Sequence, residues 1–390
     1  MTSWTHWDLP FFEARHGALA ETLRAFQQHY ASIEDEVESL PLPGQCRRLA
    51  AELGNAGLLA YAVPEPGADA GARLDLRSVC LVREALSYCS ALADFVFSMQ
   101  GIGAAPLWLH GSAALVDRYV GDCRSGRRIA AFALTEPDGG SDVAAITTRA
   151  ERRGDTYVLN GAKAYISNGG IADYYVVVAR SEEAPGAKGL SAFLVDVGTA
   201  GLTVDTGVEI VAPHPLGELT LRNCEVPAAQ MLGRPGEGFR VAMSVLDIFR
   251  SSVGCAAVGL ARRALDETVL RMNQRSLFGK SMSEMDTVRM RAADMALDME
   301  SAALLVYRAA WLRDVRQATI TREAAMAKLG GTEAAFRVVD SAVQLFGALG
   351  VTQGCVIERL FRDVRPMRIY EGASEIQKLI IGRRVLGGQG

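Results

Sequence analysis

The hydrophobic period of this chain changes twice, from helical to strand-like and back, and that order limits the folds open to it. Helical spacing runs through "ALAETLRAFQQHY" and "CRRLAAELGNAGLLAYAV". "AVPEPGADAGARLDLRS" interrupts it with Pro and Gly, and "LVREALSYCSALADFVFSMQGIGAAPLWLHG" resumes it. Beyond "CRSGRRIAAFALTEP" the text breaks into short runs rich in Val, Tyr, Leu and Thr: "DTYVLNGAKAYIS", "DYYVVVARS", "SAFLVDV" and "LGELTLRNCEV". Gly, Asn, Asp and Pro separate them, the pattern of an antiparallel β domain with a turn at Gly154–Asp155. After the glycine-rich "GRPGEGF" the helical period returns and persists. Met285, Val288, Ala292, Met295 and Met299 step by three and four, so they line one helix face, read as core. The prediction is a multi-domain α+β chain: an N-terminal α-helical domain over 1–125, a middle β domain over 126–234 and a C-terminal four-helix bundle over 235–390. No βαβ alternation or internal repeat occurs, which argues against a dinucleotide-binding α/β fold. "GALGVTQG" at 347–354 is glycine-rich, but no strand precedes it.

A length of 390 residues suits two or three domains. The formal charge of −4 gives no electrostatic footprint for nucleic acid or for an anionic membrane surface. Seven cysteines are scattered, with no CxxC pair and no His/Cys cluster. That fits reduced thiols in a cytoplasm and no metal site. "MTSWTHWDLPFFEARHG" lacks the basic-then-apolar order of a signal peptide. No unbroken run of about 18 apolar residues is found, so no membrane span is expected.

Two stretches carry candidate chemistry. "ALTEPDGGSD", 133–142, opens the β block. Its small residues let backbone approach a bound group, and Thr135 and Ser141 supply hydroxyls. Taken alone, a plain Pro-Gly-Gly turn with an Asx-type bond from Asp142 is the weightier reading. "FRDVRPMRIYEGASEIQ", 361–377, sets three arginines among three acids and an aromatic. By itself it reads as a salt-bridged loop between helices.

Together, in this order and on this α–β–α text, the two stretches resemble the signatures of the acyl-CoA dehydrogenase family. "NGAKAYISNGG", "LGRPGEGF", "RSLFGK" and "AVQLFGALG" extend the resemblance over nearly the whole chain. It implies FAD-dependent oxidation of an acyl-CoA to the trans-2-enoyl-CoA. The glutamate of "IYEG", here Glu371, would take the pro-R α-proton while the β-hydrogen leaves as hydride to flavin N5. Such a base needs hydrogen bonds to the thioester oxygen, which stabilise the developing enolate. Desolvation also raises its pKa toward that of the activated substrate. Some relatives carry the base on the helix holding "LDIFR". Phe249 stands at that position and cannot serve, against an isovaleryl-type arrangement. A nitroalkane oxidase of this fold would carry aspartate in place of Glu371.

The resemblance assigns flavin contacts to Phe132, Leu134, Thr135 and Ser141, with Tyr165, Ile166 and Ser167 on the other side. From a neighbouring subunit, Arg275, Phe278 and Gln344 would meet the pyrophosphate and adenine, and Gly347 is a further cofactor contact. Arginine suits a phosphate pair because its fork bonds two oxygens; the plainer alternative for Arg275 is a solvent-facing position. Ser141, Phe249, Arg250, Tyr370 and Gly372 would line the substrate. Electron-transfer flavoprotein would be the acceptor, and a homotetramer the assembly.

Departures from the family text are Tyr165 for tryptophan, Ala348 in "FGALG", Ala373 for threonine and the loop "VAPHPLGEL" at 211–219, where His214 reads as a loop residue. Residues 94–106 would floor the acyl pocket. They hold no arginine or lysine, which disfavours a dicarboxylyl substrate, and their small residues suggest room for a short or medium, branched or cyclic chain. A same-fold flavin oxidase or monooxygenase is the alternative enzyme. A flavin-binding DNA-protection protein is a third reading, opposed by the acidic charge and the intact base.

Overall fold

A computed structural model describes residues 9–66, 74–181 and 184–387. Part of the Pro/Gly interruption near 64–77 lies outside those residues. The N-terminal block holds five helices: α1 (Ala14–Glu38), α2 (Leu42–Asn55), α3 (Leu76–Cys89), α4 (Ala91–His110) and α5 (Ala113–Arg124). Asp75 and Ser112 accept bonds from Ser78 N and Leu115 N, capping α3 and α5.

The middle block is a sheet of β1 (Ala130–Ala133), β2 (Arg149–Arg153), β3 (Thr156–Ser167), β4 (Tyr174–Arg180), β5 (Leu190–Asp196), β6 (Leu202–Asp205), β7 (Leu216–Pro227) and β8 (Met231–Leu232). The strand order is β6-β7-β3-β2-β4-β5-β8, with β1 beside β4. The sheet is mixed, correcting the all-antiparallel expectation: β1 and β2 each run parallel to β4. β4 is buried along nearly its whole length, which is why "YYVVVA" does not alternate. The expected turn joins β2 to β3, with Arg153 opposite Thr156 and Gly154 at φ 60°.

The C-terminal region holds α6 (Gly238–Gln274), the hairpin β9 (Ser276–Leu277) and β10 (Lys280–Ser281), α7 (Asp286–Arg316), α8 (Thr321–Phe346), α9 (Val356–Val364) and α10 (Ser374–Val385). Only α6, α7 and α8 are long; α9 and α10 are short, so the region has three long helices where four were expected. α8 packs against α7, α9 and α10. α6 meets α8 at Gly254 and Gly331: a Cβ on Gly331 would sit 2.7 Å from Gly254 Cα. The α7 stripe is core as expected, with Val288, Met295 and Met299 buried.

The described residues fall into two compact units. One comprises those within Met1–Ser32, Asp75–Asp94 and Arg250–Gly390; the other comprises those within Ile33–Leu74 and Phe95–Phe249. Among the described residues, three segments are long and apolar enough to cross a membrane by length and composition: Ala91–His110, Gly238–Gln274 and Thr321–Val351. This corrects the expectation that none would be. Isolated polar residues break each run, but the average stays apolar. The apolar windows of the first two are 72% buried within the fold, and that of the third 39%.

Candidate active site

The first unit contains Glu371. α9 ends at Val364, a 3₁₀ turn covers Pro366–Arg368, and α10 starts at Ser374. Between them Glu371 and Gly372 both lie in the left-handed region, at φ 53° and 93°. Glutamate rarely adopts that conformation, so the surroundings must hold it. Arg250 Nε donates to the Glu371 carbonyl at 3.2 Å. Lys328 Nζ and Gln377 Nε2 donate to the Gly372 carbonyl at 3.0 and 2.9 Å. A Cβ on residue 372 would lie 2.5 Å from Gln377 Nε2, so glycine is required there twice over.

The Glu371 residue is half-buried, yet both carboxylate oxygens are shut off from solvent and have no hydrogen-bond partner. Burial raises its pKa. Arg83, Arg250 and Lys328 oppose that rise and Asp94 adds to it. Lys328 is itself pushed down to about 8 by burial. Tyr370 is raised by burial. Of these neighbours, Arg83 and Asp94 escaped the reading of residues 94–106. Arg83 sits on the preceding helix, and only its complete burial marks it out.

Also in this unit, the β9–β10 hairpin turns through Phe278 and Gly279, both at positive φ, leaving Phe278 96% exposed. Leu277 and Leu345 both pack against the buried cluster of Met272, Met282 and Val288. That contact brings the hairpin to the end of α8, where Gln344 and Gly347 are exposed. Arg275 is half-buried at the base of the hairpin, its carbonyl accepting from Met282 N at 2.8 Å. The four residues assigned to a neighbour's cofactor thus gather at one end of the unit.

In the second unit, "ALTEP" leaves β1 alongside β3. Lys163 Nζ donates to the Leu134 carbonyl at 3.2 Å, and Ala164 N to the Thr135 carbonyl at 3.0 Å. Beneath them Lys163 pairs with Glu136 at 2.8 Å, and Glu136 also accepts from Thr147 N, Thr147 Oγ1 and Thr148 N. Burial would raise Glu136, but these donors outweigh it and hold it down to about 2. Burial pushes Lys163 down to about 8 against the pull of Glu136. Glu136 and Gly139 exchange backbone bonds, so the Pro-Gly-Gly stretch is a tight turn as well as a signature. Phe132, Leu134 and Thr135 are half-buried; Ser141 is exposed beyond the turn. A bulge between Lys163 and Ile166 puts Tyr165 at φ 55° and 61% exposed, with Ile166 buried and Ser167 half-buried.

Phe249 is fully buried, and a Cβ on Gly101 would meet its ring at 2.6 Å. A Cβ on Gly103 would meet Ala130 at 2.6 Å. The small residues of α4 thus admit an aromatic ring and a strand, not open space. His214 is more than a loop residue: its ring lies 4.3 Å from that of Phe95, and burial pushes it down to about 4, so it is neutral at pH 7.

Fold and site together define an enzyme of helix–sheet–helix build, with a desolvated, unbonded carboxylate. The family models for the acyl-CoA dehydrogenase N-terminal, middle and C-terminal domains match residues 13–127, 131–224 and 236–386. The chain belongs to the acyl-CoA dehydrogenase family, oxidoreductases acting on CH–CH groups. The mouse mitochondrial short-chain specific acyl-CoA dehydrogenase is 36% identical over 95% of this chain and 90% of its own length. An acyl-CoA dehydrogenase of Bacillus subtilis is 36% identical over 92% and 93%. Butyryl-CoA dehydrogenase from Megasphaera elsdenii superposes with a TM-score of 0.87 at 31% identity, covering 96% and 99% of the two chains. A Mycobacterium smegmatis glutaryl-CoA dehydrogenase in complex with FADH2 gives 0.87 at 28%, covering 97% and 96%. A structure described as the electron transferring flavoprotein of Acidaminococcus fermentans gives 0.84 at 33%, covering 94% and 98%.

Proposed function

We propose that this chain dehydrogenates a short acyl-CoA thioester between Cα and Cβ, with Glu371 as the base. The observation that carries this is the Glu371 carboxylate: buried, raised in pKa, and with both oxygens unspent. A carboxylate kept only for structure is paired or bonded when buried. One left open can accept a proton from a bound ligand. The reaction breaks one Cα–H and one Cβ–H bond and forms C=C.

FAD is the cofactor, and the residues present fit it. Leu134 and Thr135 on one segment adjoin the β3 segment of Tyr165, Ile166 and Ser167, giving apolar, aromatic and hydroxyl groups suited to a flat ring with one polar edge. The flavin, when bound, supplies the acceptor for the hydride leaving Cβ. Glu371 takes the Cα proton on a carboxylate oxygen. Arg250, Lys328 and Gln377 hold its backbone against recoil. Tyr370, Gly372, Phe249 and Ser141 are assigned to the substrate, and Arg275, Phe278, Gln344 and Gly347 to the cofactor of a neighbouring copy.

Electron-transfer flavoprotein is the proposed acceptor, in keeping with the Acidaminococcus neighbour. The seven cysteines, none of them in a disulfide, support a reducing compartment, for which the cytoplasm is the proposal. The three apolar segments are assigned to packing within the protein and between copies rather than to a bilayer. Short-chain specific relatives support a short acyl group. The neutral His214–Phe95 pair on the α4 segment suits an apolar chain better than a carboxylate.

The test is anaerobic flavin reduction across a series of acyl-CoAs. Butyryl-CoA is expected to bleach the flavin faster than glutaryl-CoA; the reverse order rejects the substrate class. Glu371→Gln is expected to retain flavin and lose about 10³-fold in reduction rate. An undiminished rate rejects Glu371 as base.

A further inference from the structure

We propose that Arg83 is a positioning residue of this site: it sets the charge around the Glu371 carboxylate without bonding to it. The proposal rests on Glu371 being the base. Arg83, on α3, is 1% exposed. Its Nε and Nη2 donate to Asp94 Oδ1 and Oδ2 at 2.8 and 2.9 Å, and its Nη1 donates to Ser252 Oγ at 2.9 Å. Ser252 lies two residues beyond Arg250, whose Nε holds the Glu371 carbonyl. The fork is therefore fastened on three of its nitrogens and cannot swing toward the carboxylate.

An unfastened guanidinium near a desolvated carboxylate would close on it bidentately and occupy both oxygens. Such a pair makes a poor base, because the acceptor sites are filled and the acidity rises. Asp94 prevents this in two ways: it holds the fork and it offsets the charge. The charged groups that act most on Glu371 are Arg83 of α3, Arg250 of α6, Lys328 of α8 and Asp94 of α4; Tyr370 adjoins it in its own loop and also senses Asp363 of α9. Arg250 Nε and Lys328 Nζ bond to backbone carbonyls. All three cations thus act on the carboxylate through space.

The signs follow. Removing the Arg83 charge disfavours the carboxylate, so the base ionises at higher pH. Removing the Asp94 charge exposes Arg83, so it ionises at lower pH. A residue important only for folding gives no such opposition.

The experiment uses the full-length, flavin-loaded protein. The rate of flavin reduction by butyryl-CoA is followed from about pH 5.5 to about pH 9. The protonated carboxyl, identified by its infrared band lost in Glu371→Gln, is titrated in parallel, giving a readout independent of turnover. Arg83→Gln is expected to move both profiles up, and Asp94→Asn to move both down, each by about one pH unit. Arg83→Lys, which keeps the charge, is expected to stay near the parent. Shifts in the same direction, or none, overturn the proposal. If Arg83→Gln does not fold, Asp94→Asn and Arg83→Lys carry the test: a downward shift and no shift support it, anything else overturns it. An active Glu371→Gln removes the base reading and the proposal with it. An inactive Glu371→Gln beside unmoved Arg83 and Asp94 profiles removes only the proposal.

Discussion

Glu371 combines two unfavourable states, a left-handed backbone and a carboxylate with no partner. Both cost stability, and both are relieved by substitution. Its folded pKa is raised by burial, so between the unfolded value and the folded one the native protein binds the extra proton. Stability from this group is therefore greatest at low pH and falls as pH rises through the folded value. Glu371→Gln is expected to melt higher than the parent at pH 8, by about 1 kcal/mol, with the gap closing toward pH 5. Calorimetry at the two pH values checks it; a variant less stable at pH 8 contradicts the assignment of an unpaired charge. Glu136 is the opposite case. Held down to about 2 by Lys163 and Thr147, it stabilises the fold above the ordinary carboxylate range and loses that effect as pH falls toward 2. Glu136→Gln strands the buried Lys163 ammonium and is expected to cost about 3–5 kcal/mol at pH 7, read by denaturant unfolding. The candidacy of Glu371 was legible in the sequence through its motif. Arg83 and Asp94 were not, because two charged residues eleven apart look like any solvated pair until burial is known.

At the scale of elements, the site depends on close backbone approaches that side chains would block. Gly254 on α6 and Gly331 on α8 allow the helices carrying Arg250 and Lys328 to touch. Gly331→Val would drive a branched side chain into Gly254. It is expected to destabilise the protein by about 2–3 kcal/mol and to slow flavin reduction, because both donors to the Glu371–Gly372 backbone shift with the helices. A spectroscopic melt and a single-turnover rate check it; a stable variant with a normal rate shows the approach is dispensable. The helical and strand periods were plain in the text, as were the β2–β3 turn and the methionine face of α7. The parallel pairing of β1 and β2 with β4 was not, because local composition carries no record of which strand a segment joins. Gly101 and Gly103 of α4 show a similar limit. Residue size is visible in sequence, but whether a gap is filled by Phe249 or left for a ligand is not.

For the whole molecule, the α–β–α order was legible because each period persists over many residues. The apolar content of three long helices was underestimated for the same reason: periodicity draws the eye from the mean. Exposed apolar residues supply a further argument. Met290, Leu297 and Leu304 recur every seven residues along α7 at 69%, 68% and 41% exposure, and Phe278 is almost wholly exposed. The homo-oligomer proposed for this chain would cover a stripe of this kind. Light scattering is expected to show four copies. Leu297→Glu is expected to reduce the assembly to smaller species, and a parent monomer at micromolar concentration contradicts the reading. Phe278→Ala is expected to weaken flavin retention while leaving each chain folded.

The unspent lone pairs of Glu371 also have a consequence for reagents. Hydrophobic carbodiimides attack carboxyls that are protonated in apolar surroundings and pass over those ionised in water. At neutral pH nearly every acid on this surface is a carboxylate, whereas Glu371 holds its proton to higher pH than an ordinary one. The residue built to receive a proton is thus open to being capped, a trait shared with Asp314 and Asp363, which burial also raises. Dicyclohexylcarbodiimide is expected to label the peptide containing Glu371, and a saturating acyl-CoA to protect that site and leave the labelling of Asp314 unchanged.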